Sequence, residues 1–364
     1  MDKKYRPYYY IFTLFIAVII ICNADISPAK TTDKASATTS SAVIFVYHRI
    51  GEDQYPASNL RIEQFEAHIR ELKTGDYNVL PVHQIVKALK TGTDLPDKTV
   101  GITFEGAYKS TLENAVPRLT DAKLPFTLFI APSRIDRKSP HYMTWKHLRK
   151  LKKSKYIDIA ALPSSYNHLL FEDDITIRRQ TNETLSRLRE ELDLQPKLFA
   201  YPFGEHSTTL RAHIKQQGYE AAFGQHSGVA HTQSDFFILP RFSMTENYGD
   251  LTRFQMTAGA LPLPVHEMTP HDPILNTENN PPIIGFTLDD SISDDKSDLS
   301  CFASEQGRIP MQKIESNRIE LRPEMPFSEG RVRINCTMKG PVPAPGEPQR
   351  WRWLGLMLTV PETE

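Results

Sequence analysis

Residues 101–110 read GITFEGAYKS, and they join a run of strand formers to a single acid. Val100, Ile102, Thr103 and Phe104 favour extended backbone. The run is nearly continuous in apolar character rather than alternating, the pattern of a strand covered on both faces in a parallel sheet. It stops at Glu105, followed by the small residues Gly106 and Ala107. A carboxylate at the carboxyl end of such a strand stands where ligands collect in parallel α/β sheets, open or closed.

Working outward, the same signature repeats. Strand-like runs at 43–47, 99–104, 125–131, 157–162, 197–202, 220–224 and 237–242 alternate with helical periodicity at 62–72, 109–122, from Thr144, 173–192 and 208–217. In the first helix Ile62, Phe65, Ile69 and Leu72 fall on one face, the spacing of an amphipathic helix. Seven apolar strands separated by helices predict an α/β fold, closing as a seven-stranded (β/α) barrel or remaining an open doubly wound sheet. Polar groups stand after several strands: His48, Glu105, Ser133, then Ser164, Ser165, Asn167 and His168, then Tyr201, Phe203 and Glu205, then Gln225 and His226. Any one of these is an ordinary loop residue; together on one rim they outline a site.

These residues, in this order, resemble the polysaccharide deacetylase (NodB-homology) domain of carbohydrate esterase family 4. The features are YH after the first strand, TF plus an acid after the next long strand, Thr144-Trp145 opening a helix, a Ser/Asn/His turn, and YPFG. The resemblance covers residues 42–262 and implies a distorted (β/α) barrel. The early YHRI is similar to the branch that removes acetyl groups from exported poly-N-acetylglucosamine, which implies His48 as general acid. Glu105 falls on the family's general base, and Trp145, Tyr201, Pro202 and Phe203 fall at substrate-binding positions. The YPFG turn would supply oxyanion-binding backbone N–H groups.

The metal half of that motif departs from the family. Gly106 stands on the metal-binding aspartate and Ser164 on the first metal-binding histidine, leaving His168 as the residual ligand. Glycine carries no donor atom, and one histidine cannot hold a divalent ion in a site needing three protein ligands. The implied cofactor is therefore none or a weakly bound divalent metal, zinc before others, with His206, His226 or Glu205 as replacement ligands if activity persists. The expected function is a divergent deacetylase-type protein acting on or binding N-acetylated polysaccharide. Its alternatives are an inactive carbohydrate-binding pseudoenzyme and a structural partner in an envelope polysaccharide export system. Restoring Asp at 106 and His at 164 is expected to rebuild the triad.

The ends of the sequence complete the picture. Lys3, Lys4 and Arg6 precede an apolar run from Ile11 to Ile21 and the small residues before Asp25, a signal-peptide pattern at 1–24. Export to the periplasm or beyond follows, with no stable span after cleavage; an uncleaved anchor is the alternative. Residues 25–41 read as a tether and 263–282, rich in Pro and Asn, as a linker. Residues 283–364 carry short strand-like runs broken by Pro and Gly, the pattern of a small antiparallel sandwich. There Cys301 and Cys336 are expected to form a disulfide in an oxidising compartment. Trp351 and Trp353 share a face, for core packing or sugar stacking. With 43 basic and 44 acidic residues and a net charge of −1, no broad basic surface for nucleic acid is present.

Overall fold

The run ending in GITFE forms the strand Thr99–Glu105, buried along its whole length, as its apolar sequence requires. In chain order the central sheet contains β1 (Ser41–Tyr47), β2 (Thr99–Glu105), β3 (Phe126–Ile130), β4 (Ile157–Ala161), β5 (Leu198–Ala200), β6 (Ala221–Phe223), β7 (Val229–His231) and β8 (Phe242–Ser243). The computed structural model describes residues 40–361 except Ser316 and Glu329, together with Met1, Lys4 and Pro7. Apart from those three positions the expected signal peptide lies outside the described residues, as does nearly all of the tether. No helix among the described residues is long and apolar enough to cross a membrane.

Strands run β7-β1-β2-β3-β4-β5-β6, with β8 beside β1. Neighbours from β1 to β6 are parallel, with Phe45 opposite Ile102 and Thr127 opposite Asp158. Helices Ile62–Thr74, Val82–Thr91, Asp174–Leu192 and Thr208–Gln216 intervene. The sheet is curled rather than evenly closed. Between β6 and β1 the gap is spanned by an irregular segment: Leu239 bridges to Phe223, and Phe242 pairs with Phe45. The expected strand at 237–242 is thus reduced to two residues. Pro240 has no N–H to donate to a ladder, and Arg241 turns inward.

Two apolar layers enclose this sheet. One contains Phe45, Tyr47, Phe65, Phe104 and Leu128, the other Ile44, Ile85, Phe129 and Phe223. The loop carrying His48 is pinned from the helical segment after β2 (Thr111–Ala115), where Thr111 Oγ1 donates to the His48 carbonyl at 2.7 Å and Asn114 Nδ2 to that of Ile50 at 2.7 Å.

Residues 39–364 form one unit, so the C-terminal strands are continuous with the central sheet's surroundings. The stretch expected as a linker carries the strand Val265–Thr269, which pairs with Ile284–Leu288. That corrects the linker reading. Two sheets share one apolar core, one built on Gly330–Lys339 and Trp351–Val360, the other on Ile284–Leu288 and Arg318–Leu321. In GRVRINCTMK, Val332, Ile334, Cys336 and Met338 are buried, the period of two that a half-covered strand imposes. Cys301 and Cys336 sit opposite each other in register and are disulfide-bonded. Trp353 meets Phe242 edge-on at 5.1 Å and donates its indole N–H to Asn335, so it packs and bonds internally.

Candidate active site

Glu105 closes β2 with no solvent exposure at all. A buried carboxylate must be paired or neutralised, and this one is paired four ways. Tyr166 Oη donates to its Oε2 at 2.8 Å and Gln225 Nε2 to the same oxygen at 3.0 Å. His48 Nε2 lies 3.6 Å away, and Arg241 Nη2 hydrogen-bonds Oε1. Arg241 is itself fully buried. Its Nε donates to the Gly224 carbonyl at 2.9 Å, and its guanidinium lies 5.4 Å and 5.5 Å from the ring centres of Phe129 and Phe223.

These contacts decide the protonation state. Burial alone would push the Glu105 carboxyl up; the Arg241 charge and the His48 and Arg241 hydrogen bonds outweigh it and hold the group at about 2. A carboxylate so stabilised is a weak base near neutral pH, because general-base efficiency falls with pKa. With no exposed atom, it also has no face on which to hold a water.

A second cluster stands around the YPFG turn. Pro202–Gly204 forms a 3-10 turn in which Phe203 adopts φ +58°, a left-handed backbone uncommon for a bulky residue. The Phe203 ring stacks with Tyr166 at 5.4 Å and with His168 at 4.2 Å, and Arg331 lies 5.2 Å from its centre. His168 Nδ1 bonds Glu205 Oε2 at 2.7 Å while 63% of the imidazole side chain faces solvent. Arg331 completes the cluster at 3.6 Å from Glu205 Oε1.

The residues at the metal-ligand positions do not fit a divalent ion. Gly106 has φ +97°, and a Cβ there would lie 2.5 Å from the Tyr108 ring. No carboxylate can enter without moving that ring. Ser164 Oγ is buried without a hydrogen-bond partner, and His168, bonded through Nδ1 to Glu205, offers a single donor, Nε2. Among the described residues no group of three or more His, Cys, Asp or Glu side chains is placed to hold a metal. Of the replacement ligands considered, Glu205 joins the His168 cluster, whereas His206 and His226 line a different cavity.

The remaining sequence-predicted residues divide. His48 stands beside Glu105 with Nδ1 buried and unpartnered. Tyr201 is fully buried and its hydroxyl donates to the Phe237 carbonyl at 3.0 Å, so it forms wall rather than contact surface. Pro202 is buried too. Trp145 donates its indole N–H to Asp136 at 2.7 Å beneath the Arg187 guanidinium, outside the Glu105 cluster. The N–H groups of Tyr201, Gly204 and Glu205 donate to the carbonyls of Phe223, Tyr201 and Pro202. Two of those donors are used within the turn and the third across to the neighbouring strand, which leaves the three unavailable to an oxyanion.

Sequence reasoning did not single out Arg241, Tyr166 or Arg331. Arg241 carried a signal: a cation between Pro240 and Phe242 in an apolar run has to find an acid when buried. Arg331 carried none, since its strand alternates like any other and only folding brings it to the turn.

With this geometry in view, comparisons with known proteins place the chain. Residues 92–222 match the model of the polysaccharide deacetylase family. The poly-β-1,6-N-acetyl-D-glucosamine N-deacetylase of Escherichia coli K12 is 21% identical over 65% of this chain and 43% of its own length. The chain thus spans less than half of that relative. The protein of the same name from Staphylococcus aureus MRSA252 is 23% identical over 62% of this chain and 86% of its own. Among solved structures, the Streptococcus pyogenes deacetylase PplD superposes with a TM-score of 0.56 at 18% identity, covering 61% of this chain and 99% of its own. IcaB from Ammonifex degensii gives 0.55 at 20% identity, covering 61% and 99%. These likenesses establish the curled α/β fold, and residues 92–222 carry the match to a polysaccharide deacetylase domain.

Proposed function

We propose that this protein binds N-acetylated polysaccharide of the poly-N-acetylglucosamine class at the carboxyl rim of its curled sheet and does not hydrolyse it by the family's metal-assisted route. One observation carries the reading: the acid on the general-base position is sealed from solvent, holds hydrogen bonds from Arg241, Tyr166 and Gln225 with His48 alongside, and titrates near 2. Amide hydrolysis needs a base that can reach water and a polarised carbonyl. Here the base is consumed as a structural anion, and Gly106 and Ser164 supply no ligand set. The exposed surfaces at the rim, His168 stacked on Phe203 beside Arg331, suit recognition of a sugar by stacking and hydrogen bonding. The N-terminal sequence supports export as the setting.

Titration of the protein with N-acetylglucosamine oligomers in a calorimeter, alongside an acetate-release assay with and without Zn²⁺, tests this. Saturable binding without acetate is expected, and Phe203→Ala is expected to weaken it at least tenfold. Acetate released in proportion to bound Zn²⁺ would overturn the reading.

A second reading has one observation in its favour. His168 and Glu205 form an imidazole–carboxylate pair with the ring open to solvent, an arrangement able to serve as a metal-independent base. Acetate release that survives chelation and vanishes in His168→Ala would select it.

A further inference from the structure

The strand Gly330–Lys339 has a second face. Val332, Ile334, Cys336 and Met338 enter the sandwich core, so Arg331, Arg333 and Asn335 point the other way. That face lies over the rim of the curled sheet. On the paired strand Trp353 meets Phe242, and Met357, directly opposite Arg333, comes against the YPFG turn, where a Cβ on Gly204 would lie 2.8 Å from Met357 Cε. Asn335 accepts the Trp353 indole N–H. Arg333 therefore stands between Arg331, held on the turn, and Asn335, held beside Phe242.

The two arginines are not equally provided for. Arg331 lies 3.6 Å from Glu205 Oε1 and donates Nη1 to the Phe203 carbonyl at 3.3 Å. Glu205 also bonds His168, so its one charge is already shared. Arg333 is half-buried. Among the described residues its guanidinium meets neither an acid nor a hydrogen-bond acceptor, and none of its nitrogens is sealed from water. Burial first, then the Arg331 charge, holds Arg333 below its ordinary value against the pull of Tyr248 and Glu205. A cation partly removed from water without a counter-charge is costly. Two arginines facing one carboxylate leave one positive charge over.

We propose that Arg333, with Arg331 beside it, is the subsite for a carboxylate substituent on the bound saccharide, so that the rim takes an acidic N-acetylated polysaccharide in preference to a neutral one. This subsite rests on the saccharide-binding reading of the rim and narrows its substrate class. A guanidinium presents paired N–H donors that match the two oxygens of a carboxylate. A singly charged guest also cancels the surplus, which a phosphate dianion would exceed.

Calorimetric titration of the full chain compares a β-1,4-linked N-acetylglucosamine hexamer with the same hexamer oxidised to carboxylates at its C6 positions and with the corresponding C6 carboxamide. The carboxylate form should bind at least tenfold tighter than the other two. Its affinity alone should fall as ionic strength rises from about 0.01 to about 1 M. In Arg333→Gln the preference for carboxylate over carboxamide should vanish, Arg333→Lys should keep part of it and Arg333→Glu should reverse it; near-UV circular dichroism reports whether each variant is folded. Equal affinities for hexamers that all bind would overturn the subsite and leave the rim reading standing. A preference undiminished in folded Arg333→Gln would belong to another cation and overturn the subsite as well. Binding of none of the three would overturn the rim reading and the subsite with it.

Discussion

Replacing Arg241 by methionine would leave Glu105 charged, buried and short of its main partner. Breaking one side of a buried ion pair costs about 3–5 kcal/mol, whereas exchanging both members for apolar groups is often close to neutral. Arg241→Met is therefore expected to lower unfolding free energy by that amount in urea titration, and Glu105→Met/Arg241→Met by clearly less than the sum of the single changes. Additive losses would mean that the two side chains do not act as a pair. The same scale governs attempts to rebuild a metal centre. Gly106→Asp/Ser164→His, sufficient by sequence correspondence, is expected to gain no tight Zn²⁺ site, because residue 106 sits at φ +97° against the Tyr108 ring. Adding Tyr108→Ala removes the steric block, and only the triple variant should show increased Zn²⁺ affinity by calorimetry.

At the level of elements, the link between Cys301 and Cys336, separated by 35 residues, ties the strand Ser300–Ala303 to Gly330–Lys339. In the chain-entropy account, a loop of that size contributes about 3–4 kcal/mol by restricting the unfolded chain. Cys301→Ala/Cys336→Ala should lose that much in equilibrium unfolding; a loss under 1 kcal/mol would show that the sandwich core alone, with Phe286, Leu321, Val332 and Ile334 buried, suffices. Asp173 caps the helix Asp174–Leu192, its Oδ1 accepting the Thr176 N–H at 2.6 Å. Asp173→Ala should lower the urea midpoint by leaving that N–H without its acceptor. These elements were readable from the chain because each rests on local periodicity: Ile177, Thr181, Thr184, Leu188 and Leu192 repeat at helical spacing, and GRVRINCTMK alternates.

For the whole molecule, buried histidines set the response to acid. Burial lowers His68 to about 4, His206 to about 3, His226 to about 4 and His231 to about 4, from an ordinary 6.5. Above pH 6.5 these rings are neutral in both states and contribute no pH dependence. Between 6.5 and about 4 the unfolded chain takes up protons that the folded one refuses, so stability falls as pH falls. Four such groups give a slope of up to about 5 kcal/mol per pH unit near pH 5. Glu105 acts lower: its pKa falls from 4.5 to about 2, so its stabilisation is complete above 4.5 and lost as pH drops through 2. Urea midpoints measured from pH 8 to 5 should stay level at first and then decline below 6.5; a flat profile to pH 5 would show that these rings are not sealed in the folded protein.

The sequence by itself determined most of the strand and helix succession, the α/β class and the position of Glu105 at the mouth of β2, because those features follow from side-chain spacing along one segment; it did not determine that the sheet curls or that Val229–His231 joins it. It also places glycine at 106 and serine at 164, where the resemblance implies metal ligands, a matter of residue identity alone. What only the tertiary structure decided is the use to which the acid is put. Arg241 reaches Glu105 from 136 residues away and Arg331 reaches the YPFG turn from a strand of the other sheet, while adjacent residues at 205–206 and 225–226 part company between a rim and a cavity. Pairings of that kind depend on which backbones the curled sheet brings together. Burial then fixes their energetics, since a charge or a ring nitrogen removed from water must bond to whatever the fold has placed beside it.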